Sequence, residues 1–299
     1  MLFIVCCRKF LTKRDGYKQF GYFCLMKLWL RFFNFYLDAS IHVALAVFSL
    51  VYVTGYSLSI PVDNHLSFFL FFGTIVCYNF IKYGVEAEKY IMVANPYHKN
   101  IQFVSFVAGA LALYHACFFN VHIWYALALL VFLIVLYALP LLPSAKNLRS
   151  WGGLKIFIVS IVWAVSTVAL PFFLMEKSVS WDVRIEIFQR FIFVLILLIP
   201  FEIRDLKYDV PELKTLPQRY GVTKTKLLGA FLVVVFFFAT FLKDEINTNE
   251  LLAKGVLFLG LGCLIYVTKR NQTKYFASFW VEAIPIFWCI FLFLLEKRC

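Results

Sequence analysis

The sequence predicts an all-α, polytopic membrane protein with nine transmembrane helices, and three observations carry that expectation. Of the 299 residues, 63% are hydrophobic and 20% aromatic, where an ordinary soluble domain is about 45–50% apolar. Apolar stretches recur along the chain at close to the 20 or so residues that a helix needs to cross a bilayer. Only 15% of residues are charged, and they collect in short segments between the apolar runs. The net charge of +12 does not point to nucleic acid, because the cations are dispersed over loops; they suit orientation in a bilayer and contact with anionic headgroups. Eight cysteines show neither metal-ligand spacing nor a disulfide framework.

Residues 1–36 are basic and aromatic, with Arg8, Lys9, Lys13, Arg14, Lys18, Lys27 and Arg31 among Phe, Tyr and Trp29. Such a segment is expected at the cytoplasmic interface, rings at headgroup level and cations towards the phosphates. Residues 37–299 are expected to form one transmembrane domain. Its apolar segments fall at 39–58, 66–82, 101–119, 121–142, 154–174, 185–201, 227–242, 251–267 and 276–295. Asp38 is placed to cap the first of them, with His42 one turn inside. Asn120-Val121-His122 makes a tight turn, and Pro171 is placed to kink the fifth segment. A cytoplasmic N-terminus puts 22 of the 29 Lys and Arg residues on the inner side, which fixes the orientation by the bias of basic loops.

The most concentrated charge lies in Ile199–Gly221, IPFEIRDLKYDVPELKTLPQRYG. If the sixth helix continues through it, Glu202, Asp205 and Asp209 recur at i, i+3 and i+7 and share one face. Carboxylates so grouped suit a hard divalent cation, and Mg²⁺ typically binds one or two carboxylates together with substrate phosphates. Arg204, Lys207, Lys214 and Arg219 stand among them as phosphate ligands, Arg through paired bonds and Lys as a point charge. The second segment ends on the same side, and Asn79, Lys82 and Glu86 repeat the spacing there. Asn147, Arg149 and Gly152-Gly153 are placed to form a backbone anion nest. Glu186 and Arg190 form an i,i+4 pair. Glu282, ionisable and two turns inside the ninth segment, is a functional candidate by default, with Lys274 as its expected partner.

Glu202-x-x-Asp205-x-x-x-Asp209, then Leu213-Lys214-Thr215-Leu216-Pro217 and Tyr220-Gly221, resembles the second aspartate-rich motif of the UbiA family of intramembrane prenyltransferases. That signature reads D-x-x-D-x-x-x-D followed by G-K-x-T-L-P. Here glutamate stands first, and Leu213 replaces the glycine. Of the family's first motif, N-D-x-x-D-x-x-x-D, only Asn79 is kept; Phe80, Tyr83 and Ala87 stand at the aspartate positions. The resemblance extends over about residues 35–296 and implies a UbiA-like helix bundle open laterally to the membrane.

It also implies a Mg²⁺-dependent transferase that moves a prenyl group from a polyprenyl diphosphate to a hydrophobic or aromatic acceptor. Glu202, Asp205 and Asp209 would hold the metal, and Asp205, Asp209 and Lys82 would act in catalysis. Lys82, Asn79, Arg204, Lys207, Lys214, Lys146 and Arg149 would bind the diphosphate, Lys82 in place of the ion that the lost motif would have held. Tyr137, with Lys146 and Arg149, is the nearest equivalent of the family's residues after the fourth helix. The expected partners are prenyl diphosphate, the acceptor and membrane lipid, in a bacterial inner membrane. The alternative is a non-catalytic relative that binds an isoprenoid or a lipid diphosphate. A transporter fits less well, because the charges gather at one surface and not at the bilayer midplane.

Overall fold

The computed structural model describes residues 16–83, 95–139, 152–175 and 179–297, and among them every regular element is helical. That follows from the solvent: a segment in hydrocarbon must satisfy its own backbone groups, which a helix does internally. The elements are α1 (Gly16–Asp38), α2 (Ile41–Ser57), α3 (Asn64–Tyr83), α4 (Pro96–Ala116) and α5 (Val121–Ala138). They are followed by α6 (Leu154–Phe173), α7 (Trp181–Asp205), α8 (Leu216–Leu242), α9 (Thr248–Val267) and α10 (Phe276–Glu296).

Helices α2 to α10 overlap the nine apolar segments in order. Length and composition alone qualify five of the described helices to cross a membrane: α3, α6, α8, α9 and α10. Met26–Asp38 and α2, bent by 57° at their junction, make a sixth if taken as one span. The expected count of nine is therefore not met on these criteria. Helix α7 falls short in apolarity because Asp182, Arg184, Glu186, Arg190, Glu202, Arg204 and Asp205 all lie on it. It nonetheless carries the largest number of buried residues, fifteen, and packs against α6 and α8. Phe193 meets Trp288 of α10 edge-on at 5.2 Å and Phe236 of α8 at 5.6 Å. The protein is an integral membrane protein whose charged central helix is shielded by apolar neighbours.

Three local expectations meet different outcomes. Asp38 does not cap α2: it ends α1 and accepts a hydrogen bond from the Tyr97 hydroxyl at 2.6 Å. The residue before α2 is Ser40, held at φ 60°. Pro171 does not break its helix. A π-helical stretch, Val165–Ala169, lies just before it, and the Thr167 carbonyl, which the proline leaves without its usual donor, accepts from the Thr54 hydroxyl at 2.7 Å. The tight turn at Asn120 stands, its side chain accepting from the Ile123 N–H at 3.2 Å.

The Glu186–Arg190 pair, 3.3 Å apart, belongs to a larger buried network. Lys254 reaches Glu186 at 3.1 Å and Glu250 at 2.6 Å; Lys243 reaches the same carboxylates at 2.9 and 2.6 Å. Arg190 also donates to the Leu50 carbonyl and to the Thr54 and Thr167 hydroxyls. These bonds tie α2, α6, α7 and α9 together at the end of the bundle opposite the cluster of Glu202 and Asp209.

Candidate functional site

Helix α7 ends at Asp205, yet the Asp205 carbonyl still accepts from the Tyr208 and Asp209 N–H groups at 2.8 and 2.9 Å. This extra turn carries Asp209 back beside Glu202. Between them lies the Lys155 ammonium at the start of α6, 2.7 Å from Glu202 and 3.4 Å from Asp209. Asp205 turns aside to the Arg204 guanidinium at 2.8 Å. The three acids expected on one face thus divide into a lysine-bridged pair and an arginine-paired single. Among the described residues no group of three His, Cys, Asp or Glu is gathered as a metal cluster.

The donor set still suits a hard cation. Only carboxylate oxygens are offered, Asp205 and Asp209 remain partly accessible, and Glu202 Oε2 is buried without a hydrogen-bond partner. A buried carboxylate oxygen with no donor is costly, so this atom has capacity for one more ligand.

The loop after α7 is fixed from two directions. Gln218 accepts from the Thr215 N–H at 2.9 Å and donates to the carbonyls of Asp209 and Val210 at 3.3 and 3.1 Å. Gly152 lies so close to the Pro211–Leu213 turn that a Cβ there would overlap the Leu213 carbonyl. Gly152 is therefore a packing contact between backbones, while Asn147 and Arg149 of the expected anion nest lie outside the described residues. Gly221 has φ 79° and ψ 162° inside α8, a conformation restricted in practice to glycine.

Facing this end, α3 presents Asn79 and Lys82. Asn79 is buried, 3% exposed, and its amide is engaged: it accepts from Ser40 Oγ at 2.8 Å and donates to the Ala39 carbonyl and Ser105 Oγ. Lys82 Nζ donates to Ser40 Oγ at 2.9 Å and to the Leu37 carbonyl at 3.4 Å. The α1–α2 bend thus orients Lys82 through Ser40; Glu86 and Ala87 lie outside the described residues. Glu282, Asp38 and Arg204 fall within electrostatic reach of Lys82, and Arg204 within that of Glu282, so the α3 and α7 sides of the site converge. Glu282 has no bond to Lys274, which donates to Asn34 at 2.8 Å.

Lys207, Lys214 and Arg219 are exposed around the loop. Lys146 and Arg149 lie outside the described residues. Beside the charged end, Tyr78 lies one turn before Lys82, its hydroxyl accepting from Trp163 Nε1 at 3.0 Å. Tyr78 also lines an apolar cavity of about 200 Å³ between α3, α5 and α6, with Leu70, Cys77, Ile134, Tyr137 and Trp163.

No family model matches the chain. It is 29% identical over 145 residues to digeranylgeranylglyceryl phosphate synthase of Sulfurisphaera tokodaii, covering 47% of this chain and 51% of that protein. The match thus spans about half the length of that relative. Among solved structures, a UbiA homologue of Archaeoglobus fulgidus bound to GPP and Mg²⁺ is similar over 88% of this chain and 99% of its own, with a TM-score of 0.56 and 14% identity. A structure of digeranylgeranylglyceryl phosphate synthase is similar over 88% and 97%, with a TM-score of 0.53 and 16% identity.

Proposed function

The chain shares the fold of the UbiA family, and on that footing we propose that it transfers a prenyl group from a prenyl diphosphate to a hydrophobic acceptor, with Mg²⁺ as cofactor. The single observation that carries this reading is the juxtaposition at one end of the bundle. Carboxylates and cations of α3, α6 and α7 surround a polar site, and an apolar cavity opens beside it at Tyr78. A diphosphate head with a hydrocarbon tail needs that pairing. The bound GPP and Mg²⁺ of the Archaeoglobus fulgidus homologue supports the same choice of substrate and ion.

In this reading Asp205, Asp209 and Glu202 hold Mg²⁺, which supplies charge stabilisation to the departing diphosphate. Lys82, Arg204, Lys207 and Lys214, with Lys146 and Arg149, bind phosphate oxygens, and donors placed where charge develops lower the barrier. Asn79 acts one step back, holding Ser40 and through it Lys82. Lys155 neutralises Glu202 and Asp209 before the ion arrives. The apolar cavity takes the tail and keeps water from the allylic carbon. An aromatic acceptor, a bacterial inner membrane and a cytoplasmic N-terminus complete the proposal.

The second reading, a non-catalytic binder of isoprenoid or lipid diphosphates, draws on the Lys155 ammonium standing between Glu202 and Asp209 and on the missing first motif. Purified protein incubated with labelled geranyl diphosphate, Mg²⁺ and acceptor probes separates the two. The probes are a phenolic acid and a glyceryl ether phosphate. Transfer predicts Mg²⁺-dependent diphosphate release and a prenylated product. Tight binding with no release supports the second reading instead.

A further inference from the structure

Glu282 is an ionisable residue at this end that the roles above leave unused. It follows the π-helical turn Phe276–Val281 that opens α10. The turn is held in place: the Phe279 carbonyl accepts from the Ala283 N–H at 2.9 Å and from His42 Nε2 at 3.0 Å. Since a carbonyl only accepts, His42 carries its proton on Nε2, and Nδ1 is left to accept from the Tyr36 hydroxyl at 2.7 Å. Tyr36, His42 and Phe279 thereby fix the backbone from which Glu282 projects. The side chain lies deep among the helices yet keeps part of its surface accessible, as a group facing an internal space does. Among the described residues it makes no hydrogen bond or ion pair. Lys82 and Arg204, and the Tyr36 and Tyr78 hydroxyls, are the charged and titratable groups within its electrostatic reach.

Resting on the prenyl-transfer reading, we infer that Glu282 is a catalytic residue that takes the proton the acceptor loses. Its electrostatic neighbours are the cations proposed to hold the diphosphate and Tyr78, which lines the tail cavity. The reacting C1 of a prenyl diphosphate belongs between those two. A bond forms between C1 and the acceptor's nucleophilic carbon or oxygen. The bond from C1 to the diphosphate oxygen breaks, and its electron pair leaves on that oxygen. The proton on the nucleophilic atom passes to the Glu282 carboxylate and from there to water. A carboxylate left without a donor in a protein interior is costly. Its persistence beside an otherwise well-bonded turn marks a position kept for chemistry and not for stability.

The test compares the parent with Glu282→Gln and Glu282→Asp in detergent or vesicles, using geranyl diphosphate, Mg²⁺ and the same acceptor probes. Glu282→Gln is expected to bind geranyl diphosphate within twofold of the parent and to melt at or above the parent temperature. Its diphosphate release should be slower by about 100-fold or more, the usual scale for a lost general base. The parent rate should rise with pH through the titration of one group, a limb that Glu282→Gln loses and Glu282→Asp partly restores. Parent-like release with a parent-like pH profile in Glu282→Gln overturns the inference alone. Lost geranyl diphosphate binding, or a lower melting temperature with parent-like turnover of the folded fraction, also overturns it, placing Glu282 in the head-group site or the scaffold. If the parent itself binds geranyl diphosphate and releases nothing with any probe, the transfer reading fails and takes the inference with it.

Discussion

Lys155 stands where two carboxylates would otherwise repel. Its ammonium, 2.7 Å from Glu202 and 3.4 Å from Asp209, gives the site a counter-charge without any ion. Lys155→Met should therefore lower stability by about 3 kcal/mol, the low end for breaking a largely buried pair. Mg²⁺ should restore part of the loss, so the variant's melting temperature should depend on Mg²⁺ more steeply than the parent's. Equal Mg²⁺ dependence would mean that these carboxylates do not share an ion. At α3, Lys82→Met should weaken geranyl diphosphate binding by about tenfold or more, in line with the loss of a buried charge-assisted contact. Binding equal to the parent would reduce Lys82 to an anchor for the α1–α2 bend. The sequence exposed Glu202, Asp209 and Lys82 through their spacing. It could not expose the bridge, because Lys155 and Asp209 are 54 residues apart and meet only after α6 and α7 have packed. The amide of Asn79 was hidden in the same way, consumed by partners in the α1–α2 junction and on α4.

Helix α8 begins with the constraint that the motif's last residue supplies. Gly221 has φ 79° with open space around its Cα, so a methyl group there meets no neighbour and the cost is purely that of the backbone. Gly221→Ala should destabilise by about 1–3 kcal/mol, read as a lower melting temperature in detergent; an unchanged melt would show that the chain reaches a helical conformation there without strain. On α7, Glu186→Gln should cost about 3–5 kcal/mol, because Arg190, Lys243 and Lys254 lose a shared carboxylate in a buried setting. Burial disfavours the Lys243 ammonium, but Glu186 and Glu250 outweigh it and hold its pKa above the ordinary lysine value. A raised lysine pKa contributes stability that is complete below the unfolded value of about 10.4 and is lost as pH rises through the folded value. The Glu186→Gln deficit should thus be constant from about pH 6 to 9 and shrink only in strong alkali. A deficit that varies across that neutral window would contradict the assignment. The i,i+4 spacing announced Glu186 and Arg190, and Glu250 and Lys254 repeat it on α9; that the two pairs meet each other and Lys243 carried no sequence signal.

The apolar rhythm of the whole chain was sufficient to foretell an all-helical membrane protein, because hydrocarbon leaves a spanning chain few alternatives. The count of spans was less legible: α7 buries charge inside the bundle, so its composition does not read as a crossing. The proposed orientation predicts the side of each end. In a background free of other cysteines, Thr223→Cys should be protected from an impermeant thiol reagent in intact cells, and Asn249→Cys should be labelled. The reverse pattern would turn the bundle over. The central claim is that the end formed by α3, α6 and α7 is a Mg²⁺-dependent prenyl diphosphate site, and titration of geranyl diphosphate with and without Mg²⁺ tests it most directly. The parent should bind only weakly without the ion, while Asp205→Asn and Asp209→Asn should each abolish the Mg²⁺-dependent component and keep the parent's helical content. Parent-like, Mg²⁺-dependent binding by both variants would contradict the account.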